Sequence, residues 1–202
     1  MATFGKTTIG VNVETNLGNT KRLCRFFLPE NGEVTSVRIY GRGLIERPAI
    51  GVLYSDLNGS PDQLLGMTNE RWVYDNLGWW GFTFSTPLKL SSGYYWIGIH
   101  TTDRFEIRWD SGEQNQMAWN GDNYIDGPTN PFGSASFLAY AMSVYAVYTP
   151  TAPPPATHTL TIQSTPISVL VTVDDVVVGS TPIPVVLTEG SHTIKVPTEV
   201  EK

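Results

Sequence analysis

The chain has one cysteine, Cys24, among 202 residues, so no disulfide can form within it. Its three histidines, His100, His158 and His192, lie far apart, and no Cys/His cluster has the spacing of a structural zinc site. Basic residues are outnumbered, 13 against 19 acidic, which gives a net charge of −6. That balance leaves no electrostatic footprint for nucleic acid or for an anionic membrane surface. No apolar run reaches the roughly 18 residues of a membrane span. Phe137 to Tyr148 comes closest, and Ser143 interrupts it. No window of helical length shows 3.6-residue periodicity, and no glycine-rich loop joins a strand to a helix as a phosphate site requires. Met1-Ala2 leads directly into polar, strand-like sequence with no secretory leader. The chain therefore reads as a piece of a longer secreted protein rather than as a cytoplasmic one.

Turn formers are abundant. There are 19 glycines and 14 prolines, 33 residues of 202, more than the roughly 12% of an average chain. Their distribution divides the sequence. All 23 aromatic residues lie between Phe4 and Tyr148, as do 17 of the 19 glycines, while 151–202 carries ten valines and no aromatic. Two different cores are implied, one of large flat side chains and one of small branched ones. Between them runs Thr149-Pro150-Thr151-Ala152-Pro153-Pro154-Pro155-Ala156-Thr157, a composition that favours an extended, semi-rigid spacer. The expected organisation is a sandwich module over 1–149, a linker over 150–157 and a small β-domain over 158–202.

The first module reads as all-β, an antiparallel sandwich of jelly-roll type. Short β-rich runs alternate with turn signals. They include Arg25 to Leu28, Val34 to Tyr40, Ala49 to Tyr54, Phe82 to Phe84, Tyr94 to His100, Phe105 to Trp109 and Phe137 to Tyr148. Only Pro61 to Leu65 suggests a helical turn. Phase assigns faces, since alternate residues of a strand point to opposite sides. Phe105, Ile107 and Trp109 share an inward face, leaving Glu106, Arg108 and Asp110 outside. Tyr95, Ile97 and Ile99 form a second inward set, with Tyr94, Trp96 and His100 opposite. The tail continues with strands at 159–162, 169–173, 176–178, 185–187 and 192–196, joined by the turns Asp174-Asp175, Gly179 to Pro182 and Glu189-Gly190. About 45 residues without aromatics make a marginal independent core.

The tail carries Ser164-Thr165-Pro166, Val171 to Asp174, Gly179 to Pro182 and Glu189 to Thr193. In order and spacing these blocks resemble a PEGA domain, a small β-module of bacterial and archaeal surface proteins. The tetrapeptide that names that family is replaced by Pro166-Ile167-Ser168-Val169, and its Asp-Gly turn by Asp174-Asp175. The resemblance implies a non-catalytic module that tethers or presents a neighbour at the cell surface. The first module carries Phe26 to Glu30 with Val34 to Val37, Tyr54 to Asp56 with Asn58 to Pro61, Gly78-Trp79 with Phe82 to Pro87, Ser92 to Ile97, and Asn130 to Gly133. These resemble a jelly-roll-like sandwich repeated in large secreted archaeal and bacterial proteins and in appendages of some glycoside hydrolases. That likeness implies a carbohydrate binder or a plain spacer, and places Trp79 and Trp96 at core positions.

No specific catalytic constellation is visible. Glu106, Asp110 and Asp122 offer the paired carboxylates of a glycosidase, but 19 acidic residues supply such pairs by chance. Asp56, Asn58 and Asp62 space oxygen ligands two apart, as calcium loops do, without the distal Glu. The same residues suit a tight turn, which is the favoured reading, so no cofactor is expected, and a structural calcium there is the weaker alternative. The aromatics in turns are the more informative feature. Trp72 and Tyr74 precede Asp75 to Gly78, Trp79-Trp80 follow it, and Trp119-Asn120-Gly121-Asp122-Asn123-Tyr124 interleaves rings with amides and a carboxylate. Aromatic planes stack on the C–H face of a sugar while such polar groups bind its hydroxyls. The expectation is a non-catalytic extracellular module whose partner is polysaccharide. Trp80 and Trp119 are the surface platform, with Tyr124, Trp72, Asn120 and Asp122 contributing. The alternative is a structural spacer, adhesin or filament subunit without a small-molecule ligand. Exposure of Trp80 and Trp119 favours the first, and their burial the second. A neighbouring catalytic or surface domain of a longer chain is a further expected partner.

Overall fold

Alternating branched and aromatic side chains make strands almost throughout. The computed structural model describes residues 1–15, 18–102, 104–152, 157–165 and 167–197, and these form two compact units, Met1–Ala152 and Pro153–Lys202. The linker expected over 150–157 is shorter than that, because Pro150 and Thr157 are paired strand residues, and 153–156 lie outside the described residues.

The first unit runs β1 (Ala2–Gly5), β2 (Asn12–Glu14), β3 (Thr20–Leu28), β4 (Gly32–Gly43), β5 (Arg47–Leu57), β6 (Ser60–Met67) and β7 (Arg71–Val73). It continues through β8 (Gly78–Leu90), β9 (Gly93–Thr101), β10 (Phe105–Ser111), β11 (Met117–Gly121), β12 (Ser136–Leu138), β13 (Tyr140–Met142) and β14 (Val144–Pro150). Two antiparallel sheets result. One has the order β1-β14-β4-β10-β13, with β2 on β10 and β8 on β4. The other has the order β12-β11-β3-β9-β5-β6, with β7 on β5. Between them pack Val34, Val37, Ile39, Phe82, Val144 and Ala146 of the first sheet and Cys24, Leu28, Leu53, Ile97 and Ile99 of the second. The unit is an antiparallel β-sandwich, and the described residues are all-β apart from a 3-10 turn at Tyr124–Asp126.

The phase of β9 is as the alternation requires. Ile97 and Ile99 face the core between the sheets. Trp96 and His100 face the other way, yet both are fully buried. The cause is an arch of chain, 122–135, that crosses the outside of the second sheet. Phe132 of this arch meets the Tyr54 ring edge-on at 5.3 Å, and with Leu23, Val52, Trp96 and Ala118 it forms a second apolar cluster. Full burial of a side chain such as Phe132 contributes about 1.5–3 kcal/mol. Polar bonds fix the arch: Phe132 N–H donates to Asp62 O (2.8 Å), Tyr54 Oη–H to Thr129 O (2.7 Å) and Leu64 N–H to Asn130 Oδ1 (2.9 Å).

Three local expectations need correction. Pro61 to Leu65 lies in strand β6, not in a helical turn. Asn58 and Gly59, at φ +52° and +84°, make the tight connection that turns β5 into β6. Glu106 is on the outer face but nearly fully buried, because Arg42 Nε (2.9 Å) and Arg108 Nη2 (3.0 Å) close over its carboxylate. Trp109 does pack on the core side with Phe105 and Ile107, but only in part, and its indole stacks flat on Tyr140 with centroids 3.6 Å apart.

The second unit holds β15 (Thr157–Ile162), β16 (Leu170–Val173), β17 (Val176–Ser180), β18 (Ile183–Thr188) and β19 (Ile194–Lys195). β15 pairs with β18, and β16 lies between β17 and β19. Val171, Val173 and Val185 form its small core, flanked by Ile162, Val178, Ile183 and Leu187. Asp174 and Asp175 both take positive φ, +50° and +65°, a conformation short polar side chains tolerate, and so close the β16–β17 hairpin without glycine. Asp174 also accepts from Thr193 N–H (2.9 Å) and bonds His192 Nδ1 (2.6 Å), which holds β19 to that turn.

Candidate functional site

The residues expected to form a surface platform go to different places. Trp80 belongs to the core: it is 7% exposed, and its indole N–H donates to Gly41 O at 3.0 Å. The surface role expected for Trp80 is therefore corrected. The signal was present, since Trp80, Phe82 and Phe84 share one phase of β8, and that phase points inward. Trp79, expected in the core, takes the outer face between Tyr40 (5.4 Å) and Tyr145 (4.9 Å), both edge-on. Trp119 is partly buried against the core, with the Arg22 guanidinium 5.4 Å from its ring centre.

Asn120, Asp122 and Tyr124 fasten the arch instead of presenting themselves to solvent. Asn120 Nδ2 donates to Phe132 O (2.6 Å). Asp122 is ion-paired with the buried Lys21 and accepts from Thr129 N–H (2.9 Å) and Thr129 Oγ1 (3.2 Å). Tyr124 is buried and donates to Glu70 Oε2 (2.8 Å). Burial pushes the Asp122 carboxyl up, but the Thr129 N–H and the Lys21 ammonium outweigh it and hold the group below its ordinary value. Burial likewise lowers Lys21 and His100, with Asp122 opposing it in both cases.

The candidate calcium loop is occupied from within. Asp56 accepts from Arg25 Nε (2.7 Å) and Nη2 (3.0 Å), from Trp96 Nε1 (2.8 Å) and from Gly59 N–H (3.1 Å). Asp62 accepts from Gln63 Nε2 (3.0 Å), and Asn58 serves the turn. Among the described residues no group of three His, Cys, Asp or Glu side chains is placed to hold a metal ion. The carboxylates considered for acid–base chemistry are likewise paired, Glu106 with two arginines, Asp110 with Lys6 (2.8 Å) and Asp122 with Lys21 (3.0 Å).

Trp72 alone of the expected aromatics stands open, 48% exposed on the short strand β7. Its neighbour Tyr74, two residues on and so on the same face, is also half-exposed. Beside Trp72 lies a cleft of about 380 Å³. Arg47 and Pro48 at the start of β5, Thr102 just past β9, Asn19 just before β3, and Asn123 and Ile125 of the arch complete its walls. The register places Pro48 opposite Trp72, so the β5–β7 pairing sets the indole at the rim. Asn19 Oδ1 accepts from Tyr124 N–H (3.3 Å), which ties the arch to this end of the sheet. The cleft thus offers one indole face, an apolar floor, carboxamides and a guanidinium. Arg47 with Pro48, Thr102 and Ile125 come from three separated segments, and no sequence motif marks them.

No curated protein and no solved structure matches the chain. Residues 157–200 match the model of the PEGA domain family, so the second unit, with its small valine core and paired aspartate turn, is similar to a PEGA domain.

Proposed function

We propose that the sandwich is a non-catalytic extracellular module that binds polysaccharide through Trp72 and the cleft beside it. The observation that carries this is the half-exposed indole at the rim of a cleft lined by Asn19, Asn123 and Arg47. An apolar wall with a few convergent polar groups suits a sugar ring. Burying one indole face contributes on the order of 1–2 kcal/mol by area removed from water. After association costs, an affinity in the high micromolar to millimolar range is expected. The likeness of the second unit to a PEGA domain supports a surface or extracellular setting, next to a catalytic or surface domain of a longer chain. Among the described residues no helix is long and apolar enough to cross a membrane.

The test is a pull-down of wild type and Trp72→Ala on insoluble cellulose, xylan and chitin, followed by a glycan array. Wild-type binding that Trp72→Ala abolishes supports the reading. Binding that survives the substitution moves the site elsewhere. A wild type that binds no glycan overturns the reading and leaves a structural spacer, adhesin or filament subunit. The burial of Trp80 favours that second reading, because it removes half of the platform that the sequence offered.

A further inference from the structure

The outer face of the second sheet carries another ordered arrangement at the opposite end of β9. The register sets Phe27 opposite Tyr94 and Arg25 opposite Trp96, with Asp56 of β5 on the same face. Arg25 is clamped by two bonds to Asp56, which also accepts the Trp96 indole N–H. So held, the guanidinium lies 3.9 Å from the centre of the Tyr94 ring. Tyr94 is nonetheless 48% exposed, and Phe27, with its ring centre 5.0 Å from that of Tyr94, is about equally so. The β10–β11 loop folds against this edge: Gln116 O accepts from Arg25 N–H (2.9 Å), and Gln116 Oε1 from Glu113 N–H (2.9 Å). That leaves Gln114 and Asn115 exposed at the tip. Arg25, Tyr94, Asn58, Glu113, Gln114 and Asn115 surround a second cleft of about 250 Å³.

We propose that this cleft is a second glycan subsite, built from the Tyr94 ring, the clamped Arg25 and the carboxamides of Asn58, Gln114 and Asn115. The proposal rests on the polysaccharide reading and extends it to a bivalent module. Its chemistry selects a neutral, hydroxyl-rich ligand. The Arg25 charge is already matched by Asp56, and Glu113 repels phosphate, sulfate or a polyanion. An apolar peptide would gain little from a rim of carboxamides. The carboxamides supply donors and acceptors together, as hydroxyl groups require. Eight residues of a central strand separate Tyr94 from Thr102, roughly 26 Å at strand rise. The two sites are therefore fixed relative to each other and face opposite ends of the sandwich. One long chain that reaches both gains avidity, and two chains caught separately are bridged.

The experiment follows indole N–H signals of the ¹⁵N-labelled full chain during titration with cellohexaose, xylohexaose and chitohexaose. Trp72 reports the first cleft, and Trp96, bonded to Asp56 beneath the Arg25 clamp, reports the second. Both signals are expected to shift with at least one of the three probes. Tyr94→Ala should weaken the Trp96 response tenfold or more and leave the Trp72 response unchanged. Gln114→Ala, at an exposed loop position, is the second variant and should act in the same direction. A Trp72 shift with a silent Trp96 overturns the second subsite and leaves the first standing. A Trp96 shift alone supports the subsite and displaces Trp72 from the reading. Silence of both toward all three probes overturns the polysaccharide reading itself.

Discussion

Lys21 Nζ and Asp122 Oδ2 meet at 3.0 Å with their side chains 0% and 6% exposed. The ammonium also lies 4.4 Å from the centre of the Phe132 ring and 5.3 Å from that of Tyr54, and donates to Phe132 O at 3.1 Å. Strand β3 thus holds the arch at both its beginning and its end. A buried ion pair is weak evidence of net stability, because desolving two charges offsets their attraction. What this pair does is fix where the arch lies.

Removing one partner should therefore cost more than removing both. Lys21→Met or Asp122→Leu leaves an uncompensated buried charge and is expected to destabilise the sandwich by about 3–5 kcal/mol. The double variant Lys21→Met/Asp122→Leu should cost less than either single variant. Urea unfolding followed by tryptophan fluorescence checks this, and reads the first unit alone because every tryptophan lies there. Additive losses would show that the two side chains are not coupled.

Acid should weaken the same region in two stages. The folded pKa of His100 is lowered by burial, so below the ordinary value of about 6.5 the unfolded chain binds the proton first and stability falls with pH. Asp122 is held below its ordinary value, so its contribution is present above about 3.9 and is lost as pH falls through its folded value. The melting temperature should decline from about pH 6.5 downward and again below about pH 4. His100→Gln retains a donor for Asp122 O and should flatten the first decline only. A variant that keeps both declines would place the upper titration elsewhere.

Two tryptophans should respond in opposite ways. Trp80→Ala empties a core position and is expected to cost about 3–5 kcal/mol. Trp72→Ala removes a half-exposed ring and should change stability by no more than about 0.5 kcal/mol. Thermal melts of the two variants decide this, and equal losses would contradict the placement of Trp72 at the rim.

Limited proteolysis should cut first within 151–156, between β14 and β15, and leave a stable fragment of about 150 residues, since proline- and threonine-rich spacers nick before packed strands. Mass spectrometry of the early fragments identifies the site. A first cut inside 80–120 would count against two separately folded units.

The sequence pattern carried most of the longer strands, the phase of Ile97 and Ile99, the β16–β17 turn and the tail's family likeness, because each depends on neighbours in the chain, but it read part of β6 as a helical turn and set Trp119 of β11 in a turn. The arch was not legible. Trp96 and His100 were placed on the face away from the core, but alternation cannot tell whether that face meets water or another layer, and here Phe132 covers it. For the same reason Asp122 and Tyr124 looked like loop residues, whereas their partners Lys21 and Glu70 lie 101 and 54 positions away. Trp80 differs, since its alternation with Phe82 and Phe84 was visible and outweighs its position beside a turn. Trp72 was legible as an aromatic next to a turn, but the cleft around it gathers strand ends that no spacing rule links.

The arch is tied down unevenly. Asp122, Thr129, Asn130 and Phe132 each bond to the sheet beneath or to its edge, whereas Asn123 to Gly127 make one 3-10 turn, and Ile125 at its crest is 89% exposed. Such a segment resembles the hypervariable loop of a recognition scaffold. Its crest can be rewritten without disturbing the anchors on either side, provided that Tyr124 keeps its bond to Glu70. Specificity can then be varied at 123, 125 and 126 while the framework stays constant, with Gly127 kept because its φ of +77° strains any other side chain, and a library randomised at those three positions is a direct route to new binders on this frame.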